Sequence, residues 1–343
     1  MSDQEVYMDQ WIGRRLKRDI LNEFGCLLIS ASTVLQQRHI ALLKIHGIEL
    51  TEDDVTEAEQ HDPDAECAPL VDQMTAQLRD MFLEIRYSKK IPLADIRKDI
   101  VPLIRQCAET PNLFGLLASL QAKDDYLYRH FIGVAVIATL IGKWLHMEEA
   151  QLLQLSTAAL LHDVGKMKIP SDILDKPGKL TKIEFEIMKR HTVFGYELVK
   201  ETVGLNHRQA LVALQHHERM NGSGYPFGLK QDKIDVFSRI VMVADVFHAM
   251  TSETVYRGPQ PLYGTLKEIS RNAFGVFDAK IVSVFLDKMM RSLVGQQVRL
   301  TDGRTGKIVM INSFDPMRPL IYVEETFLDL GKSAETDIES VLP

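Results

Sequence analysis

Seven side chains between positions 130 and 245 carry the types that can gather around a cation: His130, His162, Asp163, His191, His216, His217 and Asp245. Neutral imidazole and ionised carboxylate both ligate divalent metals well. One His-Asp pair alone would be read as a hydrogen-bonded core pair. Five imidazoles with two carboxylates exceed what one ion takes, so two ions sharing a bridging carboxylate is the expected count. Asp163 is the natural bridge, because its neighbour His162 is itself a candidate ligand. The expected partition puts His130, His162, Asp163 and Asp245 on one ion and Asp163, His191, His216 and His217 on the other. The chain's cysteines, Cys26, Cys67 and Cys107, lie far from these positions, so a thiolate-bound structural zinc is not expected. Mixed nitrogen and oxygen ligands suit iron or manganese, with zinc, nickel and cobalt also compatible. Two such ions, about 3.5–4 Å apart, hold a water and polarise a phosphoryl oxygen, the chemistry of in-line attack on phosphorus. Lys166, three residues after Asp163, is placed to neutralise charge on that phosphate.

Those side chains need elements to carry them. Apolar periodicity predicts a helix over 126–145, with His130 among inward-facing residues. A second helix, 150–162, delivers His162 and Asp163 at its C-terminal end, with Gly165 suited to a left-handed stop. Thr181 with Glu184 is a capping box, opening a helix that presents Phe185, Met188, His191, Phe194 and Leu198 at helical spacing. The helix over 207–217 ends in His216-His217. Neighbouring helical residues diverge by about 100°, so both reach one site most easily from a fraying end. A glycine-rich loop, Asn221 to Pro226, follows, and the helix over 235–252 carries Asp245. His248, one turn after Asp245, can face the same site.

The rest of the chain is read as mainly α. Residues 11–48 look helical, and helical patterns recur at 68–87, 93–108 and 112–121. Glu49 to Glu66 holds nine acidic residues and no Lys or Arg, which reads as a solvated connector or a mobile loop. After Gly295, residues 297–301, 307–311 and 320–324 look like short strands, with Asp302-Gly303 as a tight turn. The division expected is a helical N-terminal regulatory or interaction domain (1–118), a catalytic helical bundle (119–294) and a small β-rich C-terminal segment (295–343). With 343 residues there is room for a substantial core. A net charge of −7 gives no broad attraction for nucleic-acid polymers or an anionic membrane. The polar N-terminus, the sparse cysteines and the absence of a spanning apolar run fit a cytoplasmic protein.

The motifs His162-Asp163-x-Gly165-Lys166, Ile169-Pro170, Lys176-Pro177-Gly178, Leu180-Thr181, His191, His216-His217-Glu218-Arg219, Gly224-Tyr225-Pro226, Arg239-Ile240, Ala244-Asp245 and Tyr256-Arg257 stand in order. Together they resemble an HD-GYP domain, a branch of the HD metal-dependent phosphohydrolases. The resemblance covers roughly residues 120 to 290. It implies an all-helical HD-type bundle, a centre of two or three metals (often iron or manganese), and hydrolysis of a bacterial cyclic dinucleotide, chiefly cyclic di-GMP, to pGpG or GMP. It implies that the seven residues above are ligands, with Asp163 and Lys166 catalytic and Lys166 on the scissile phosphate. Further substrate contacts are expected at Arg219, Gly224, Tyr225 and Arg257. Tyr126 stands where trimetal members carry a Glu, so two ions are expected. His248 replaces a usual Asp, Thr254 a usual Arg, and Asn221 a usual Asp. These departures leave open the mixed cyclic GMP-AMP dinucleotide as substrate. They also leave open a catalytically weak domain acting as dinucleotide sensor or interaction module. A homodimer or a regulatory protein partner is expected to engage the N-terminal part.

Overall fold

A computed structural model describes residues 10–22, 27–29, 31, 33, 35, 37–56, 63–110, 112–120, 125–252, 260–333 and 335–342. They fall into two units, Met1–Glu66 and Cys67–Pro343. In the first, strand β1 (Arg15–Leu16) pairs antiparallel with β4 (Val55–Thr56), and β2 (Ile20–Leu21) with β3 (Leu27–Ile29); helix α1 spans Gln37–Ile45. The long helix expected over 11–48 is therefore replaced by short strand pairs and one helix. The apolar spacing that suggested it instead supplies Leu16, Ile20, Ile29, Leu35, Ile40 and Leu43 to a small core with Trp11. Strands of two or three residues are too short to display the alternation by which strands are recognised. The acidic stretch begins as part of this core, and its residues 57–62 lie outside the described residues. Leu50 and Val55 are buried, and Asp54 accepts hydrogen bonds from the Thr51 N–H and hydroxyl, both at 2.9 Å, and from Arg18 Nε at 2.5 Å.

The second unit is mainly α. It opens in α2 (Pro63–Ser88) and continues through α3 (Leu93–Asp95), a wide turn of helix at Ile96–Ile100, α4 (Val101–Cys107) and α5 (Leu113–Leu120). Next come α6 (Tyr126–Trp144), α7 (Glu149–Leu160), a tight 3-10 turn at Val164–Lys168, and α8 (Ser171–Leu174). Then follow α9 (Lys182–Lys189), α10 (His191–Glu201), α11 (His207–Gln215), α12 (Val236–Thr251), α13 (Leu262–Arg271) and α14 (Ala279–Ser292). Helix α6 is buried continuously from His130 to Gly142, the mark of a helix enclosed on every side, and packs on α7 and α12. The capping box at Thr181 and Glu184 is present, but the helix expected to continue through Leu198 breaks at Arg190, so His191 opens a new one.

The C-terminal segment forms a five-stranded antiparallel sheet in the order β8-β7-β6-β5-β9. Its strands are β5 (Gln297–Leu300), β6 (Thr305–Met310), β7 (Leu320–Val323), β8 (Thr326–Asp329) and β9 (Ile338–Val341). The last two were not expected from sequence. The hairpin turn from β7 to β8 uses Glu324 and Glu325, both at positive φ, where turn rules look for Asn or Gly. The sheet shares its apolar core with the helices through Val298, Ile308, Ile321 and Ile338. It is tied to α13 where the Tyr263 hydroxyl lies 2.6 Å from the Met317 carbonyl oxygen and 2.8 Å from Asp337 Oδ1, its one hydrogen serving either acceptor, and where Lys267 pairs with Asp337. Among the described residues no helix is long and apolar enough to cross a membrane.

Candidate metal centre

All seven side chains singled out by type converge at the buried ends of five elements. His130 comes from the first third of α6, and His162 with Asp163 from the turn after α7. His191 is the first residue of α10. His216 caps α11 with His217 next, and Asp245 lies within α12. His217 is partly buried and the other six are buried. Asp163, His191, His216 and His217 each place one ligand atom within 4.8 Å of the others, and His130, His162 and Asp245 form a second such set.

Asp163 faces both sets. Its Oδ1 lies 3.0 Å from His191 Nε2 and 3.4 Å from His216 Nε2. Its Oδ2 lies 3.3 Å from His162 Nε2, 3.9 Å from His130 Nε2 and 2.5 Å from Lys166 Nζ. Asp245 Oδ1 is 3.1 Å from His130 Nε2, and its Oδ2 is 3.8 Å from His217 Nδ1.

Three of the imidazoles are oriented by main-chain carbonyls. His162 Nδ1 reaches the Ala159 carbonyl at 2.7 Å, His191 Nδ1 that of Met188 at 2.7 Å, and His216 Nδ1 that of Val212 at 3.1 Å. A carbonyl only accepts, so each Nδ1 carries the hydrogen and each Nε2 is left as a lone pair. Those lone pairs aim at the Asp163 carboxylate, and His191 Nε2 meets His216 Nε2 at 3.3 Å. Acceptors thus confront acceptors, and His162 Nε2 and Asp163 Oδ1 have no hydrogen-bond partner among the described residues. Buried polar atoms left that way are costly. A cation between them removes the cost. The donor set, nitrogen and carboxylate oxygen without sulfur, fits a divalent metal.

The electrostatics agree. Burial pushes His130 and His217 down, the latter well below the usual value, and takes His216 to about 4, all toward the neutral, ligating form. Burial would raise Asp163, but Lys166, His162 and His191 outweigh it and hold the carboxyl well below its usual range. Burial likewise opposes ionisation of Asp245, and His130, His217 and His162 more than offset it. His162 alone moves up, because Asp163 and Asp245 outweigh its burial.

Gly165 was expected to stop a helix in left-handed conformation. It has no positive φ. It lies in the 3-10 turn where a Cβ would fall 1.9 Å from the His191 carbonyl oxygen and 2.4 Å from the Gly195 nitrogen. The missing side chain is what lets the turn bearing Asp163 press against α10 bearing His191. Gly165→Ala is accordingly expected to destabilise by about 3 kcal/mol, the upper end for overpacking. It should also lower metal uptake; urea unfolding and metal analysis of the purified variant check both.

Sequence reasoning named Glu218 within a motif but gave it no role. Fully buried, it accepts from Phe227 N and Leu229 N, both at 2.8 Å, and so clasps the loop that follows the histidine pair. Its partners are main-chain groups, which leave no residue signal. Within that loop the Tyr225 ring lies 4.7 Å from His217 and 6.4 Å from Phe185, centroid to centroid, and Lys189 Nζ sits 5.7 Å above it. Burial pushes the Tyr225 phenol up, so it stays neutral. Gly224 packs against the His217 and Glu218 backbone. Arg219 Nη1 donates to the carbonyls of Glu218 at 2.8 Å and His216 at 3.3 Å. Tyr126 stacks on His130 with centroids 5.7 Å apart. Asn221 Oδ1 accepts from Ser223 N and Oγ, shaping the loop. His248 does face the site, its Nδ1 3.1 Å from His130 Nδ1. Arg257, with Thr254 to Tyr256, lies outside the described residues.

Known proteins resemble this chain to different extents. The family described as HD domain matches residues 107–281. "Cyclic di-GMP phosphodiesterase PA4108" of Pseudomonas aeruginosa is 30% identical over 79% of this chain and 67% of its own length. A "Cyclic di-GMP phosphodiesterase" of Thermotoga maritima is 39% identical over 51% of this chain and 49% of its own. This chain thus spans about two thirds of the first relative and about half of the second. Among solved structures, "Bd1817, a HDG"Y"P protein" from Bdellovibrio bacteriovorus superposes with a TM-score of 0.51 at 14% identity. The match covers 82% of this chain and 95% of that one, and it speaks for the fold alone.

Proposed function

The chain belongs to the HD domain family, and from that premise we propose that it is a metal-dependent phosphodiesterase that opens a cyclic dinucleotide, cyclic di-GMP, to pGpG or GMP. One observation carries the reading. Imidazole lone pairs and carboxylate oxygens converge in two sets, Asp163 of the one reaching His162 and His130 of the other, with His162 Nε2 and Asp163 Oδ1 left unpaired. His130, His162, Asp163 and Asp245 would hold one ion and Asp163, His191, His216 and His217 the other, with iron or manganese best suited to the ligands. When bound, such a pair supplies Lewis acidity and a water of lowered pKa.

The protein's own groups do the rest. Lys166 Nζ, 2.5 Å from Asp163 Oδ2, stands a cation beside the point where a phosphoryl oxygen would gather charge. Enclosure by α6, α10 and α12 lowers the local dielectric and strengthens that interaction. Tyr225 and the half-exposed Phe185 offer aromatic faces at the rim, where a base can stack. Tyr225→Ala is expected to raise KM for the dinucleotide about tenfold, within the ~1–3 kcal/mol per stacked base, while metal content stays unchanged. Steady-state kinetics with metal analysis show whether the loss is confined to binding.

The direct test is hydrolysis by purified, manganese- or iron-loaded protein. Its substrates are cyclic di-GMP, the mixed cyclic GMP-AMP dinucleotide and bis(p-nitrophenyl) phosphate, with a His162→Ala, Asp163→Ala double variant alongside. Metal-dependent product from a cyclic dinucleotide, absent in the variant, is the expected result. Dinucleotide binding without metal-dependent product would make the domain a sensor instead.

A further inference from the structure

Each of the three imidazoles turned by a main-chain carbonyl presents Nε2 to the centre. His130 has no such carbonyl among the described residues. Its Nδ1 meets another imidazole, His248 Nδ1, at 3.1 Å, while its Nε2 points at Asp245. Two imidazole nitrogens at that separation share one hydrogen, so one ring donates and the other accepts. The other face of His130 decides which. Its Nε2 lies 3.1 Å from Asp245 Oδ1 on the side of the centre, and it can ligate a cation there only as a lone pair, which puts the single hydrogen of the neutral ring on Nδ1. The nitrogen of His248 that faces it is then the acceptor. Ser252 Oγ, 3.2 Å from His248 Nδ1 and 3.5 Å from Nε2, can rotate to donate or accept and is compatible with this assignment. Space for the ring comes from Gly133, where a Cβ would fall 2.0 Å from His248 Nε2.

We propose that His248 is a positioning residue for the metal centre: its Nδ1 accepts the His130 Nδ1 hydrogen and thereby holds the His130 Nε2 lone pair on the side of Asp245 and Asp163. An encoded side chain thus stands where a main-chain carbonyl turns the rings of His162, His191 and His216. The proposal rests on reading the seven residues as a metal centre, and it concerns one of the two ions.

The test uses zinc, which is diamagnetic, and the full chain. Competition titration against a chromophoric chelator should show two zinc ions per wild-type chain. His248→Leu should weaken one of them about 10–100-fold, the usual effect of losing a group that orients a ligand. The ion held by His191, His216 and His217 should be unaffected. His248→Asn, whose side-chain carbonyl can accept the same hydrogen, should bring the weakened ion back to within about threefold. A loss of folding would weaken both ions together, so the one-ion pattern and its rescue separate positioning from bulk support. Gly133→Ala, which drives the ring aside, should reproduce the one-ion loss. In long-range 1H–15N spectra of zinc-loaded wild type, His248 should carry its hydrogen on Nε2. The proposal is overturned by a His248→Leu protein that binds both ions as wild type does, or by a hydrogen on His248 Nδ1. A wild type that takes up no zinc overturns the metal centre and this proposal together. If both variants fail to fold, the wild-type spectrum decides.

Discussion

Asp163→Ala is expected to lower dinucleotide hydrolysis by at least about 10³-fold, or about 4 kcal/mol of transition-state stabilisation. Asp163 makes the closer contacts to both ligand sets with separate atoms: Oδ1 faces His191 and His216 at 3.0 and 3.4 Å, and Oδ2 faces His162, His130 and Lys166, whereas Asp245 reaches across only to His217 at 3.8 Å. Removing Asp163 deletes the shared ligand, the partner of Lys166 and, among the described residues, the one acid group of its set at once. Asp163→Asn, close in size but uncharged, should fall nearly as far, because size without charge cannot hold two cations together. Single-turnover rates, metal content and circular dichroism on the same preparations check this. Retention of both ions with activity within tenfold of wild type would remove Asp163 from its place as the bridge.

Stripping the metals is expected to abolish turnover and to lower stability in a pH-dependent way. Ligands that bind only the folded state stabilise it by ~4 kcal/mol at a thousandfold excess over Kd, which is about 10 °C in Tm for a unit of this size. The pH dependence follows from the histidines. His216 titrates near 4 when folded and near the ordinary histidine value when unfolded. Between about 6.5 and 4, therefore, the unfolded chain binds a proton that the folded one refuses, and stability falls as the solution is acidified. For His216 alone this amounts to roughly 3 kcal/mol at pH 4. His130, His217 and His248, also shifted down by burial, act in the same direction. His162, shifted up, opposes them, since its stabilising share is full at low pH and is lost as pH rises. Asp163 and Asp245 contribute stability that survives until the pH falls below the ordinary carboxylate range. Four against one leaves acid destabilising. Calorimetry of chelator-treated protein from pH 7.5 to 4.5 should show Tm falling with pH, and a flat or rising profile would contradict the assignment of neutral rings.

The helices around the centre were legible because long apolar stripes such as 126–144 and 236–251 leave little choice of conformation. The convergence of His130, His162, Asp163, His191, His216, His217 and Asp245 was legible because motif order compensates for distance along the chain. What escaped was of another kind. Residues 11–48 carry the same apolar spacing whether they form a helix or the strand pairs and single helix observed. Glu324-Glu325 makes a hairpin turn without the residues that announce one. Gly165 could be seen to matter, but its reason is a neighbour 26 residues away, which only packing reveals. Glu218 and the carbonyls that orient the imidazoles act through backbone atoms, about which residue identity is silent.

Those backbone acceptors have a consequence for how such a site tolerates change. A carbonyl is present whatever side chain is encoded at its position, so no replacement at Ala159, Met188 or Val212 can delete the atom that turns the neighbouring ring. Drift at those three positions is limited by volume alone. The ring at position 130 leans on an encoded group, and it is the corner of the cluster that a single codon change can unsettle without touching a ligand.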